Sequence, residues 1–84
     1  MQKLLNNYVK IDPIEIDEFL KSDKSTYEEM GIVVDKAENL EIPIGSIVYF
    51  DSYMAKKYSN PQNKKKFQWF IQYDEIVAYD EPTI

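Results

Sequence analysis

Short β-type segments, separated by turn-forming residues, make up most of this chain. Ile47–Phe50 is the most apolar of them, and Phe67–Tyr73 alternates in the manner of a half-buried strand. Short strands that recur roughly every 8–12 residues predict an all-β fold, a small β-barrel of five to seven strands, with one short helical turn within Ser52–Tyr58. The segments interpreted as strands are Leu4–Ile11, Tyr27–Asp35, Ile47–Phe50, Phe67–Tyr73 and Ile76–Tyr79, with Leu40–Ile44 as a shorter alternating stretch.

Turn-forming residues indicate where these segments end. Asp12-Pro13 is predicted to end the first strand, because proline cannot donate a hydrogen bond to a strand ladder. The other predicted turns are Gly45-Ser46, Asn60-Pro61 and Asp74-Glu75. Residues 14–21 fit neither the helical nor the strand period, so a continued strand and a short helical turn both stay open.

The composition excludes several kinds of chemistry. The chain has 84 residues with no cysteine and no histidine, and this length corresponds to one domain. We expect residues 1–80 to form that domain and 81–84 a frayed tail. Without thiolates and imidazoles, the chain lacks the usual ligands of zinc and the commonest general base. No apolar run is long enough to span a membrane. We therefore expect a cytoplasmic binding or assembly module that is not an enzyme and holds no cofactor or metal.

Two groups of carboxylates were weighed for other chemistry. Asp12, Glu15, Asp17 and Glu18 could bind a divalent ion, but their spacing is not that of an EF-hand and the glycine of its sharp turn is missing. Asp74-Glu75 could serve acid–base chemistry, but the pair falls in a predicted hairpin turn, where aspartate is favoured for turn formation. Both groups are interpreted as surface residues.

The charge is distributed unevenly along the chain. Residues 11–41 carry ten acidic residues against three lysines, residues 51–66 carry five lysines against Asp51, and the whole chain has a net charge of −5. Opposed acidic and basic surfaces could let copies pack head to tail. The simpler interpretation is a set of solvated loops that keep the protein soluble.

Lysines and aromatic residues are interleaved in the second half of the chain. Tyr58 and Trp69 lie close in sequence to the lysines at 56, 57 and 64–66. A single-stranded nucleic acid could stack its bases on these two rings while the lysines contact its phosphates. The negative net charge and the absence of arginine count against this. Trp69 also lies on the apolar face of its strand, which favours a place in the core, so nucleic acid is the weakest of the partners considered.

The order of several motifs resembles the GroES-type co-chaperonins, the ten-kilodalton chaperonin family. Residues 3–11 look like the family's first strand, Met30–Val34 like its glycine-x-valine strand, and Glu75–Tyr79 like its final E-D-I-L-A strand. The best match is Ile42–Phe50, which is similar to the family's V-K-x-G-D-x-V-x-F, with Ser46 where the family usually has aspartate. The residues that carry the barrel motif are Gly31, Ile42, Ile44, Gly45, Val48, Phe50, Ile76 and Ala78.

The chain departs from this family in the region where the family binds its partner. The family uses a long, glycine-rich loop with a hydrophobic anchor after the first strand, and residues 12–26 contain no glycine. Phe19-Leu20 is the candidate anchor, and the alternative is that this pair covers one end of the barrel. The family's roof-forming hairpin is reduced here to Lys36–Asn39. A shortened member of this kind would suit a phage genome, in which case the protein would act in the host cytoplasm.

The resemblance implies a function that needs no catalytic residue. Copies would pair their terminal strands in a ring, and the ring would cap a chaperonin that itself binds and hydrolyses ATP. An alternative of another class is a phage-type structural or anti-defence protein that uses the same barrel to bind a different protein. Both expectations are of a homo-oligomeric or protein-bound module away from membranes.

Overall fold

The computed structural model describes residues 2–14 and 29–82, and these residues form one antiparallel sheet of six strands. The only helical elements among the described residues are two short 3-10 turns, Ser52–Met54 and Tyr73–Glu75. The strands are β1 Tyr8–Pro13, β2 Met30–Lys36, β3 Ile47–Phe50, β4 Lys56–Asn60, β5 Asn63–Gln72 and β6 Ile76–Asp80. The predicted all-β fold, the number of strands and the short helical turn after residue 51 are confirmed.

The sheet has the strand order β4-β5-β1-β2-β3-β6. The first strand therefore lies inside the sheet, with β5 on one side and β2 on the other. The strands β4 and β6 form the two edges. Within the described residues no helix longer than a 3-10 turn covers the inner face, so the sheet curls into a barrel-like fold and encloses its own core.

Alternate side chains of the strands fill this core. Val9, Ile71 and Val48 are completely buried, and Ile11 and Phe50 are nearly so. Their neighbours along each strand point to the outer face, because successive strand residues alternate in direction. The core also receives the loop residue Ile42, which is completely buried beside these strands.

The connection between β2 and β3 is a loop that is hydrogen-bonded to β2. The backbone N–H of Gly45 donates to the carbonyl of Val33 at 2.8 Å, and the N–H of Val33 donates to the carbonyl of Ser46 at 2.9 Å. Gly45 has φ of 93°, a conformation that side chains with a Cβ disfavour. The turn falls at Ile44-Gly45, one residue before the predicted Gly45-Ser46. The alternating stretch 40–44 forms no strand, and its alternation reflects the single buried residue Ile42.

The predicted start of the first strand at Leu4 was wrong. Asn6 and Asn7 have φ of 54° and 63°, and the N–H of Tyr8 donates to the carbonyl of Leu5 at 3.1 Å. Two consecutive residues with positive φ make a tight turn, which asparagine tolerates better than most residues. The strand therefore begins at Tyr8, and the residues before it turn back over the sheet.

The predicted end of the first strand at Asp12-Pro13 was also wrong, because β1 continues through Pro13. Pro13 is the register partner of Gly31 in β2, whereas the pairing of β1 with β5 ends at Ile11 and Trp69. The missing N–H of the proline is tolerated because no strand lies on its other side in the described residues.

The strand β4 was missed by the sequence analysis. Four of its five residues, Lys56–Ser59, are exposed, so no apolar alternation marks it. It forms a hairpin with β5 around the predicted Asn60-Pro61 turn. The other four predicted strands are present, with different agreement in their bounds: β3 has the predicted bounds, and β6 is one residue longer than predicted. The strand β2 begins at Met30 and ends one residue after the predicted Asp35, and β5 begins four residues before the predicted Phe67 and ends at Gln72.

Candidate functional site

The described ends of the connection between β1 and β2 are held together at one point of the sheet. The N–H of Ile14 donates to the carbonyl of Met30 at 2.9 Å, directly after the last register pair of the two strands. The returning end is fixed a second time, because Phe50 donates its N–H to the carbonyl of Glu29 at 2.9 Å. The candidate anchor Phe19-Leu20 belongs to residues 15–28, which lie outside the described residues.

Gly31 makes the close strand contact at this exit point possible. A Cβ at position 31 would stand 3.1 Å from Cδ1 of Ile11 and 3.2 Å from the carbonyl oxygen of Asp12. Both distances are tighter than ordinary van der Waals contact. The glycine of the predicted barrel motif therefore has a packing role where β1 and β2 diverge.

The other residues of the barrel motif divide between core and surface. Ile42, Val48 and Phe50 are buried, and Ile76 packs against them from β6. In contrast, Ile44 is 50% exposed and Ala78 is exposed. The motif thus contributes to the core mainly through the loop and β3.

Ser46 is the unusual member of this region. Its side chain is completely buried, and its hydroxyl oxygen has no hydrogen-bond partner among the described residues. A buried hydroxyl without a partner destabilises a fold by its lost hydration. The position is the one at which the resembled family usually carries aspartate.

A groove lined by aromatic rings lies on the outer face of β4, β5 and β1. Lys10 of β1 is the register partner of Phe70, and Lys56 of β4 is the partner of Phe70 on its other side. Tyr58 meets the Phe70 ring edge-on, with 5.8 Å between ring centroids. We call this the aromatic groove; it has a volume of about 270 Å³ and its principal lining residues are Leu4, Leu5, Tyr8, Lys56, Tyr58 and Phe70.

The residues before the Asn6-Asn7 turn form one wall of the aromatic groove. The side-chain amide of Gln2 donates to Oε1 of Gln68 at 2.9 Å, and the ammonium of Lys10 donates to Oε1 of Gln2 at 3.0 Å. These bonds hold the N-terminal segment over β5 and β1. They also place Lys10 on the same outer face as the aromatic rings.

The lysines of the groove interact with its tyrosines. The ammonium of Lys56 lies 6.0 Å from the centroid of the Tyr8 ring. Hydrogen bonding to Gln72 and, against the opposing effect of burial, to Lys56 lowers the pKa of the Tyr8 hydroxyl. Hydrogen bonding to Tyr8 raises the pKa of Lys56 in turn. Lys56 is therefore a stable positive charge beside the rings.

Trp69 lies on the opposite face of β5, as its position in the strand predicts. It is half-buried and packs against the core cluster. The ammonium of Lys57 lies over its ring, 4.5 Å from the ring centroid. Of the two rings considered for base stacking, Tyr58 is open, with 55% of its surface exposed, and Trp69 is not.

Sequence reasoning missed Tyr8 and Phe70 as surface aromatics. Tyr8 was placed in the first strand, but the face to which its side chain points was not predicted. The Asn6-Asn7 turn, which brings residues 2–5 beside Tyr8, was not recognised. For Phe70 a signal was present, since it alternates with Gln68 and Gln72 on the polar face of its strand. An aromatic residue on a polar strand face is a candidate for binding.

The two edges of the sheet carry opposite charges. Lys56 and Lys57 belong to β4, whereas β6 ends at Asp80 and is followed by Glu81. The hydroxyl of Tyr49 donates to Oδ2 of Asp80 at 2.7 Å, and this bond raises the pKa of Tyr49. Within the described residues no strand pairs with the outer side of either edge.

Among residues 2–14 and 29–82, no group of three or more acidic side chains has the geometry to hold a metal ion. Glu15, Asp17 and Glu18 of the carboxylate group weighed above lie outside these residues. In the same ranges no helix has the length and apolar character needed to cross a membrane. Comparisons with protein-family models, with curated proteins and with solved structures found no match to this chain.

Proposed function

We propose that this protein is a small co-chaperonin that assembles with copies of itself and caps a chaperonin. The observation that carries the proposal is the exit point between β1 and β2, where Ile14 and Met30 hold the two ends of the intervening segment together. The resembled family has its partner-binding loop after the first strand. A segment whose two ends are held at the sheet can contact a partner without disturbing the sheet.

The geometry of residues 42–50 supports the same proposal. The resemblance is best here, and four of the matched residues have a physical task. Gly45 takes a positive φ, Ile42 fills the core from the loop, and Val48 and Phe50 fill it from β3. These residues support the barrel-like fold itself, and they would do so whatever partner the protein binds.

The sheet edges support assembly through β4 and β6. The expected pairing of both terminal strands between neighbours does not fit, because β1 is paired on both of its sides. The edges of β4 and β6 have unpaired backbone groups within the described residues, and an edge of this kind is a template for pairing with another chain. Their opposite charges favour a head-to-tail arrangement, which closes into a ring when the rotation between copies permits.

The experiment is to measure the ATPase rate of a purified chaperonin with increasing amounts of this protein. We expect the protein to lower the ATPase rate. A cap stabilises the nucleotide-bound chaperonin to which it binds, and it therefore slows the release of the nucleotide. The double variant Phe19→Ala/Leu20→Ala removes the candidate anchor and should abolish the effect. The matched control is Tyr53→Ala/Met54→Ala, which removes two exposed apolar side chains elsewhere and should leave the effect intact.

An unchanged ATPase rate with the wild-type chain, at a concentration where the chain is assembled, would contradict the proposal. Recovery of a different protein partner from the source cell, with no chaperonin, would favour the alternative of a barrel adapted to another target. Equal loss of effect in both double variants would remove Phe19-Leu20 as the anchor.

A further inference from the structure

The aromatic groove has no task in the proposed co-chaperonin function. It lies on the outer face of β4, β5 and β1, away from the exit point between β1 and β2. Tyr8 and Phe70 are half-buried and Tyr58 is 55% exposed. Three neighbouring strands thus each present one aromatic ring on a face that the fold does not need for its core.

Rings on the open face of a small antiparallel sheet form a stacking platform. Every nucleic-acid base has a π-face, so stacking on Phe and Tyr tolerates any sequence. Single strands are the form that can use such a platform, because their bases are free to leave the helical stack. Tyr58 and Phe70 lie in edge-on contact, with 5.8 Å between their ring centroids, so their rings share one part of this face.

Positive charge surrounds these rings, although the chain as a whole is acidic. Lys3 and Lys56 line the groove, and Lys10 is held on the same face by its hydrogen bond to Gln2. Among residues 2–14 and 29–82 no carboxylate lines the groove, although Glu75 lies close enough to act electrostatically on Tyr8 and Lys56. An anionic backbone is therefore matched by lysines beside the rings on which its bases would stack.

We propose that the aromatic groove binds single-stranded nucleic acid, with Tyr8, Tyr58 and Phe70 stacking bases and Lys3, Lys10 and Lys56 contacting phosphates. Lysine is a point charge without the forked geometry of arginine, so the contacts carry no base readout. The binding is non-specific and weak, since a net charge of −5 opposes the approach of a polyanion. The inference does not rest on the co-chaperonin function.

The experiment is fluorescence anisotropy of a labelled oligothymidylate of about 12 nucleotides, a length within the usual site size of a small barrel. With three phosphates neutralised, the logarithm of the affinity should fall with the logarithm of salt at a slope of about −2. Raising salt from about 50 mM to about 200 mM should then weaken binding about twentyfold. A polyglutamate peptide with the same label serves as a polyanion without bases.

The aromatic contribution is tested with one exposed tyrosine and two controls. Tyr58→Ala should weaken binding about tenfold, the loss expected for one stacked base, whereas Tyr58→Phe keeps the ring and should bind like the wild type. Tyr53→Ala removes a ring that is 91% exposed outside the groove and should change nothing. Both positions are exposed, and an unchanged urea midpoint confirms that each of the three variants is folded.

The charge contribution is tested with two neighbours on one strand. Lys56→Gln and Lys57→Gln change the net charge equally, but adjacent strand residues point to opposite faces. Lys56→Gln should reduce the salt slope by about 0.7, and Lys57→Gln should leave it unchanged. Absence of binding at about 50 mM salt, equal effects of the two lysine variants, or equal binding of polyglutamate would each overturn the proposal.

Discussion

The two faces of β1 and β5 use similar side chains for different purposes. On the inner face Val9, Ile11 and Ile71 are excluded from solvent, whereas on the outer face Tyr8 and Phe70 stay partly open. Buried and partly exposed residues alternate along the same strands, so they differ in the face of the sheet to which their side chains point. Apolar surface on the inner face stabilises the fold, and apolar surface on the outer face is available to a partner.

The largest expected effect is a difference in the loss of stability between substitutions at two neighbouring residues, one on each face. Ile71→Ala removes a completely buried side chain and should lower the free energy of unfolding by about 2–5 kcal/mol. Phe70→Ala, one residue away, should cost less, because its ring is already partly exposed. Urea denaturation of both variants measures the difference, and equal losses would show that the two faces are not distinct.

A smaller loss is expected at the loop that delivers Ile42 to the inner face. Gly45→Ala places a Cβ on a backbone with φ of 93° and should lower the free energy of unfolding by about 1–2 kcal/mol. Ile44→Ala next to it removes a half-exposed side chain and is the matched control. If the two substitutions have the same small effect, the loop can adopt a backbone conformation without the positive φ at Gly45.

The inner face also contains a position that should tolerate substitution. Ser46→Ala removes a buried hydroxyl that has no partner among the described residues. The variant should be as stable as the wild type or more stable by up to about 1 kcal/mol, since the cost of the unpaired hydroxyl is removed. A clear loss of stability in urea denaturation would mean that the hydroxyl has a partner in the folded protein.

The smallest effect concerns two outer-face tyrosines with opposite neighbours. Hydrogen bonding to Gln72 and the nearby Lys56 lower the pKa of Tyr8, and the hydrogen bond to Asp80 raises that of Tyr49. Tyrosinate absorbance during an alkaline titration should show Tyr8 ionising before Tyr49. Tyr8→Phe and Tyr49→Phe assign the two steps, and the reverse order would contradict the charge difference between the two regions.

The same shifts predict the direction of the pH dependence of stability. The folded pKa of Tyr49 is raised, so its contribution is fully present below the unfolded value of about 10 and is lost as pH rises through the folded pKa. The folded pKa of Tyr8 is lowered, so its contribution is present above the unfolded value and is lost as pH falls through the folded pKa. At neutral pH neither group contributes to a pH dependence.

Local pattern predicted those parts of the fold in which one face is buried. The bounds of β3 follow from its continuous apolar run between Gly45-Ser46 and Asp51. The inward position of Trp69 follows from alternation, because the apolar residues of its strand recur with the strand period. The strand β4 could not be predicted in this way, since lysines and small polar residues carry no such period. It is fixed by pairing with β5, which is a tertiary effect.

The candidate sites show a similar division. Gly31 and Gly45 were singled out by the resemblance to the co-chaperonin family, and the close contact at Gly31 and the positive φ of Gly45 give each a physical reason. The aromatic groove could not be predicted as a unit, because Tyr8 comes from β1, Tyr58 from β4 and Phe70 from β5. The strand order brings these rings together, and the turn at residues 6 and 7 adds residues 2–5 as one wall of the groove.

The central claim of a co-chaperonin is tested most directly by native mass spectrometry of this protein mixed with a purified chaperonin, with and without ATP. We predict a complex that contains one chaperonin and several copies of this chain, formed only with nucleotide present. A free chaperonin beside a monomeric chain under both conditions would contradict the claim.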